Sequence, residues 1–226
     1  MLNYVRILLR YKTMKIKTIT LLILALSLTT FLNAAEGDSA PSKEYQVKAA
    51  FIYNFIKFVD WPEPADSESD EKAKDSTRPI TIGIIGENPF GSAFEAVTKK
   101  KIHGRQVVIK YFGGFAKNSV RYKEAGRTKY KYKDADALKA CHVLFVSPSE
   151  SEYCKEIIDV VKDNCVLTVG ETKDFLQYGG IVEFVIEEKK VKFEINLIAA
   201  ENAKLDIRSM LLRLAKKVIE KEEGNS

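Results

Sequence analysis

The chain has only two histidines in 226 residues, and neither stands in a His-x-x-x-His or Glu-x-x-His setting. Its three cysteines form no Cys-x-x-Cys pair. Metal sites built on such spacings are therefore not expected. The glycines of Ile82-Gly83-Ile84-Ile85-Gly86-Glu87-Asn88-Pro89-Phe90-Gly91 do not follow the dinucleotide-binding spacing, and no lysine stands where a P-loop needs one. Ser147-Pro148-Ser149-Glu150-Ser151 lacks the glycines of a nucleophile elbow. Cys141 and His142 are neighbours, but adjacent strand residues point to opposite faces, so they make no nucleophile–base pair. With no catalytic residue, metal or cofactor to name, an enzyme is not expected.

Apolar runs of membrane-spanning length are also missing. The most apolar stretch, Ile19 to Leu32, has 14 residues, where a spanning helix needs about 20. It follows Arg6, Arg10, Lys12, Lys15 and Lys17 and precedes Asn33-Ala34-Ala35. That is the order of a secretory signal peptide over residues 1–35, with cleavage near Ala34 or Ala35 and Met14 as an alternative start. No cysteine follows at once, which argues against a lipid anchor. Five of the 36 bases and none of the 31 acids lie in residues 1–35, so the remainder is balanced in charge. Overall charge thus gives no warrant for nucleic-acid binding. The remaining chain, residues 36–226, is about the size of one domain with a sizeable core.

Ser42 is placed to cap a helix over 42–60, with Val47, Ala50, Phe51, Asn54, Phe55 and Phe58 at helical spacing and Trp61-Pro62 as its stop. Residues 62–79 read as a solvated loop. Strands are expected at Ile80–Ile85, Gln106–Tyr111, His142–Ser147 and Val166–Gly170. Helices are expected near Pro89–Lys99, Asp134–Ala140, Ser151–Lys162 and Thr172–Gln177. Such alternation predicts an α/β fold, a mainly parallel sheet with helices on both faces in a Rossmann-like sandwich. Ile181–Ile186 and Val191–Ile195 read as a hairpin, followed by a short helix over Asn196 to Lys204. Ile207, Leu211, Leu214 and Val218 form the stripe of a C-terminal helix, either core or a dimer seam.

Two groups could bind something. Gly86 and Asn88 sit at the first strand-to-helix turn, where free amides can hold an anion, while Asn88 capping Pro89 is the plainer account. His103 and Arg105 bracket Gly104 before the second strand, so a small nucleotide-like ligand at the end of the sheet would use Gly86, Asn88, His103 and Arg105. Residues 113–133 carry seven bases (Lys117, Arg121, Lys123, Arg127, Lys129, Lys131 and Lys133) against Glu124 alone. They are read as a solvated loop; Arg121, Lys123, Arg127 and Lys129 are its candidate partner-binding residues. Cys141 and Cys165 begin neighbouring expected strands, within reach of a disulfide worth about 3.5 kcal/mol. Cys154 would then be the odd thiol; a Cys154–Cys165 bridge and a fully reduced set are the alternatives.

The segment Tyr45-Gln46-Val47-Lys48-Ala49-Ala50-Phe51-Ile52-Tyr53-Asn54-Phe55-Ile56-Lys57-Phe58-Val59-Asp60-Trp61-Pro62 resembles the opening helix of the YfiR-like periplasmic proteins. The similarity continues, in order, through Ile82–Gly86, Cys141–Ser147, Val166–Gly170, Gly179–Ile181, Phe193–Leu197 and Ser209–Ala215. The resemblance implies a periplasmic α/β protein, often a homodimer, that represses an inner-membrane signalling protein. That partner would be a diguanylate cyclase or a kinase with a periplasmic domain, and deletion would raise cyclic-di-GMP output. It also implies an outer-membrane lipoprotein able to sequester the repressor. Disulfides are common in the family, and Cys141 matches the cysteine before its apolar strand. The basic stretch at 113–133 is longer than is usual there.

Overall fold

Ser42 starts the first helix: its hydroxyl accepts from Tyr45 N at 3.4 Å, and α1 runs Lys43–Phe58. The structure, a computed structural model, describes residues 42–62 and 78–221. The expected signal peptide, and residues 63–77 of the expected loop, lie outside the described residues. The buried face of α1 is Lys48, Ala49, Ile52, Phe55 and Ile56, while Val47 is exposed. This face is rotated from the expected stripe. The helix is apolar around most of its circumference, and the sheet decides which side is covered.

After α1 comes β1 (Val59–Asp60), then β2 (Ile80–Ile85), α2 (Glu95–Thr98), β3 (Lys101–Ile102) and β4 (Arg105–Phe112). Next are α3 (Phe115–Asn118), β5 (Ser119–Glu124), β6 (Arg127–Tyr132), α4 (Ala135–Lys139) and β7 (Val143–Val146). A 3-10 turn over Pro148–Tyr153 leads into α5 (Cys154–Val161), followed by β8 (Leu167–Gly170), β9 (Val182–Glu187) and β10 (Lys190–Asn196). The chain closes with α6 (Leu197–Asn202), β11 (Asp206–Ile207), α7 (Ser209–Leu212) and β12 (Lys217–Ile219).

The main sheet has eight strands in the order β12-β10-β9-β8-β7-β2-β4-β3. Neighbours from β4 to β9 are parallel, whereas β3 and β10 join antiparallel. Alternate residues feed two cores. Ile82, Ile84, Val143, Phe145, Leu167 and Val169 face α1 and α2, and Leu144 and Val146 face Leu138 of α4 and Ile157, Ile158 and Val161 of α5. The expected mainly parallel sheet with helices on both faces is present. Each fully buried Ile or Phe contributes roughly 1.5–3 kcal/mol.

Three expected elements differ. Residues 113–133 are an ordered hairpin rather than a loop: β5 and β6 pair antiparallel through a two-residue Ala125-Gly126 turn with φ of 49° and 76°. Its root is fixed by Phe115 stacked on Tyr132 at 5.4 Å and by Tyr132 Oη donating to Gly113 O at 2.8 Å. Residues 172–179 form turns instead of a helix, because the Phe175 ring is wedged where a Cβ on Gly170 or Gly180 would stand within 2.4 Å of it. The C-terminal helix is replaced by the single turn α7 and the edge strand β12. Lys216 N donates to Phe193 O at 2.8 Å, β12 pairs with β10, and Leu214 is 64% exposed. Open hydrogen-bonding groups on the β10 edge outweigh a helix of so few turns.

Candidate functional site

The spatial order β4-β2-β7-β8-β9 reads 2-1-3-4-5 in chain order, so the winding reverses between β2 and β7. In doubly wound sheets ligands enter the crevice at the carboxyl ends of the two strands flanking that reversal. Here the chain fills it. Gly86, at φ 95°, ends β2, and Glu87 N donates to Ser149 Oγ at 2.9 Å. A Cβ on Gly86 would lie 2.5 Å from Ser149 Oγ and 2.7 Å from Glu150 Cγ. Glu150 is buried, and its Oε2 accepts from Phe115 N at 2.8 Å. The amide that could cradle a phosphate is already satisfied, and a carboxylate occupies the ground beside it. Asn88 serves the turn itself, its Oδ1 accepting from Phe90 N at 3.0 Å.

Nearby, the ammonium of Lys48, 1% exposed, is held between Glu44 and Glu171, the latter directly after β8. Tyr45 Oη donates to Glu171 at 2.9 Å, and Lys48 Nζ lies 4.5 Å from the Tyr45 ring centroid. Burial, then the Glu171 hydrogen bond, pushes the Tyr45 phenol well up. The arrangement is an ion-pair clamp between α1 and the sheet.

His103 and Arg105 lie at the other end. His103 (φ 49°) and Gly104 (φ 80°) form the tight turn from β3 to β4. The proposed four-residue constellation is therefore not assembled: Gly86 and Asn88 stand at the carboxyl end of β2, His103 and Arg105 at the amino end of β4, its parallel neighbour. Around His103 and Arg105 is a cleft of about 220 Å³, lined also by Asp60, Trp61, His142 and Arg208.

In this cleft Arg105 Nε donates to Arg78 O at 2.7 Å, and its Nη2 lies 2.8 Å from His142 Nε2. Thr81 N approaches His142 Nδ1 at 3.2 Å. Trp61 meets the His142 ring edge-on at 5.9 Å and donates its indole hydrogen to Cys165 O at 3.0 Å. Arg208 grips Asp60 with two hydrogen bonds of 2.7 and 2.8 Å. That bond holds the Asp60 carboxyl below its usual range, with a lesser contribution from His103. Two guanidinium groups and two imidazoles thus surround a hollow whose lining has one carboxylate. Asp60, Trp61, His142 and Arg208 escaped sequence reasoning, because they come from segments far apart in the chain and carry no shared motif.

Arg121, Lys123, Arg127 and Lys129 all stand exposed on the hairpin. Cross-strand pairing puts Arg121 and Lys123 on one face and Arg127 and Lys129 on the other. Lys129 is paired with Glu124, whereas Arg121, Lys123, Arg127, Lys131 and Lys133 have no ion pair among the described residues. A groove of about 630 Å³ runs between β6 and helices α4 and α5.

All three cysteines are free thiols, so the expected Cys141–Cys165 bridge is not formed. Cys141 N still bonds to Leu138 O at 3.1 Å in the turn after α4, which sends its side chain into the α5-side core beside Gly83. Cys165 packs against the opposite core. Cys154 is wholly buried. Burial pushes the Cys141 thiol up to about 11 and Cys154 up to about 12, so both are poor nucleophiles at neutral pH.

Among the described residues no cluster of His, Cys, Asp and Glu could hold a metal, and no helix is long and apolar enough to cross a membrane. Comparison with known proteins finds a family model, described as YfiR/HmsC-like, that matches residues 45–216. No curated protein matches the chain. A crystal structure of a conserved domain protein from Vibrio cholerae O1 biovar El Tor is similar at TM-score 0.44 and 12% identity. The match covers 77% of this chain and 60% of that one.

Proposed function

Because the chain belongs to the YfiR/HmsC-like family of periplasmic regulators, we propose that it binds an inner-membrane diguanylate cyclase and lowers cyclic-di-GMP output. In this reading the protein is exported after cleavage near Ala34 or Ala35 and acts as a homodimer. An outer-membrane lipoprotein relieves repression by sequestering it. Repression is a population shift: the regulator binds the inactive receptor more tightly than the active one, and lowers output by no more than that difference. The observation that carries the docking face is the hairpin, whose Arg121, Lys123, Arg127, Lys131 and Lys133 have no ion pair among the described residues. Crosslinking the mature protein in its own envelope should capture a membrane cyclase. Reversing the charge of Arg121, Lys123, Arg127 and Lys129 together should raise cyclic-di-GMP as deletion does, with protein level unchanged. Output that stays at the wild-type level would sink this reading.

A second reading is favoured by the cleft at Arg105 and Arg208: a small anionic, nucleotide-like ligand held against Trp61. Trp61 is the single tryptophan of the chain, so its fluorescence reports on the cleft directly. Titration with a nucleoside monophosphate should quench or shift that emission in the wild type but not in Arg105→Ala. An identical response in both proteins would remove the cleft as the binding site.

A further inference from the structure

Strand β5 is open on both faces and along one edge. Val120, Arg121, Tyr122, Lys123 and Glu124 are all exposed, Val120 at 69% and Tyr122 at 43%. Among the described residues the hairpin has no third strand. The direction of its backbone groups follows from the pairing. Lys133 N donates to Asn118 O at 2.8 Å, so Asn118 and Lys133 form a hydrogen-bonded pair at the hairpin root. Such pairs alternate along an antiparallel ladder. Val120, Tyr122 and Glu124 therefore bond inward to Lys131, Lys129 and Arg127, and the two-residue turn closes on the last of these pairs. The N–H and C=O groups of Arg121 and Lys123 consequently point away from β6, into solvent.

An exposed strand edge is a template for another strand, and charge decides which one. A second copy of β5 would set Arg121 and Lys123 against like charges, which is unfavourable for directly opposed pairs. An acidic strand would meet the reverse: carboxylates opposite Arg121 and Lys123, with apolar residues between them opposite Val120 and Tyr122. We infer that the β5 edge accepts an extended acidic segment of a partner protein as a third, antiparallel strand, with acidic and apolar residues alternating. This deepens the hairpin-docking reading given above and rests on it. Lipid headgroups could use the same cations but would leave the Arg121 and Lys123 amides unpaired.

The probe is a capped peptide of about eight residues alternating Glu with Val, followed by NMR on the whole mature protein. Binding should slow amide exchange at Arg121 and Lys123 while leaving Tyr122 as it was. N-methylation of the Glu amides, which face β5, should weaken binding at least about tenfold, and methylation of the Val amides should not. Arg121→Pro, which removes one outward N–H, should act like Glu methylation. Because that variant could disturb the hairpin, the methylated peptides on wild-type protein carry the decision. Equal binding of both methylated peptides, or no protection of Arg121 and Lys123, would overturn strand addition. Envelope crosslinking through the hairpin with no peptide pairing overturns the strand mode and leaves the regulator standing. Peptide pairing without any captured cyclase does the reverse.

Discussion

At the carboxyl ends of the parallel strands Ser149 and Glu150 fill the crevice between β2 and β7, and the Lys48–Glu171 clamp stands beside β8. At the amino ends Arg105, His103, His142 and Arg208 line a hollow. Doubly wound sheets place their ligands at the first kind of site. This chain has spent that position on cohesion and left its cationic chemistry at the opposite pole. The lesson is that strand order alone does not locate a site; the residues filling the crevice do.

Substitutions at the two poles should therefore behave differently. The largest effect is expected for Lys48→Ala, which strands the Glu171 carboxylate in a poorly solvated place and should cost about 3–5 kcal/mol in urea unfolding. Lys48→Met, which fills the volume but also removes the charge, should do little better, whereas neutralising both partners should restore part of the loss. Gly86→Ala comes next, at about 2 kcal/mol, because its φ of 95° and its contact with Ser149 both oppose a Cβ. At the amino pole Arg208→Ala should shift the urea midpoint far less than either, since its pair with Asp60 is half exposed and screened. A loss there as large as at Lys48 would erase the contrast.

The smallest effect is in pH dependence, and its sign differs between the two carboxylates. Asp60 is held below its ordinary value of 3.8 by Arg208, so its contribution is present above that pH and fades as pH falls through the lowered value. Glu183, paired with Gly170 at the end of β8, is raised above 4.5 by burial, with Leu176 N opposing. Its contribution is full below about 4.5 and is lost as pH rises through the raised value. Urea midpoints followed from neutrality down into acid should show Glu183→Gln removing a slope above about 4.5 and Asp60→Asn removing one of opposite sign below about 3.8.

Much of the frame was legible. Short runs rich in β-branched residues, such as Ile80–Ile85 and Val143–Val146, alternating with helical stretches, read as strands buried on both faces, and Ser42 announced α1. The hairpin was half legible: Lys129-Tyr130-Lys131-Tyr132 alternates with a period of two, but Ala125-Gly126 is a weak turn signal and the charge suggested a loop. The C-terminal stripe was misleading, because Ile207, Leu211, Leu214 and Val218 fit a helix locally while the open edge of β10 claimed Lys217–Ile219. Of the cleft, only His103 and Arg105 could be suspected. Trp61 read as a helix stop, and Arg208 falls inside the stretch that read as a C-terminal helix, since long-range pairing leaves no mark on local sequence.

The wedged Phe175 has a mechanical consequence. Strands β8 and β9 meet only at Val169–Val182 and Gly170–Glu183, a shorter seam than any other between the parallel strands. Around it, Asn196 Nδ2 donates to Leu176 O at 3.0 Å and Ile181 N to Thr168 Oγ1 at 3.0 Å, while the Phe175 ring sits between two glycines like a rivet. The sheet is thus two plates fastened along a fault line. Under load the main-chain ladder should give way there first, leaving α1, whose Phe55 packs on both Phe184 and Phe193, as the tie across it.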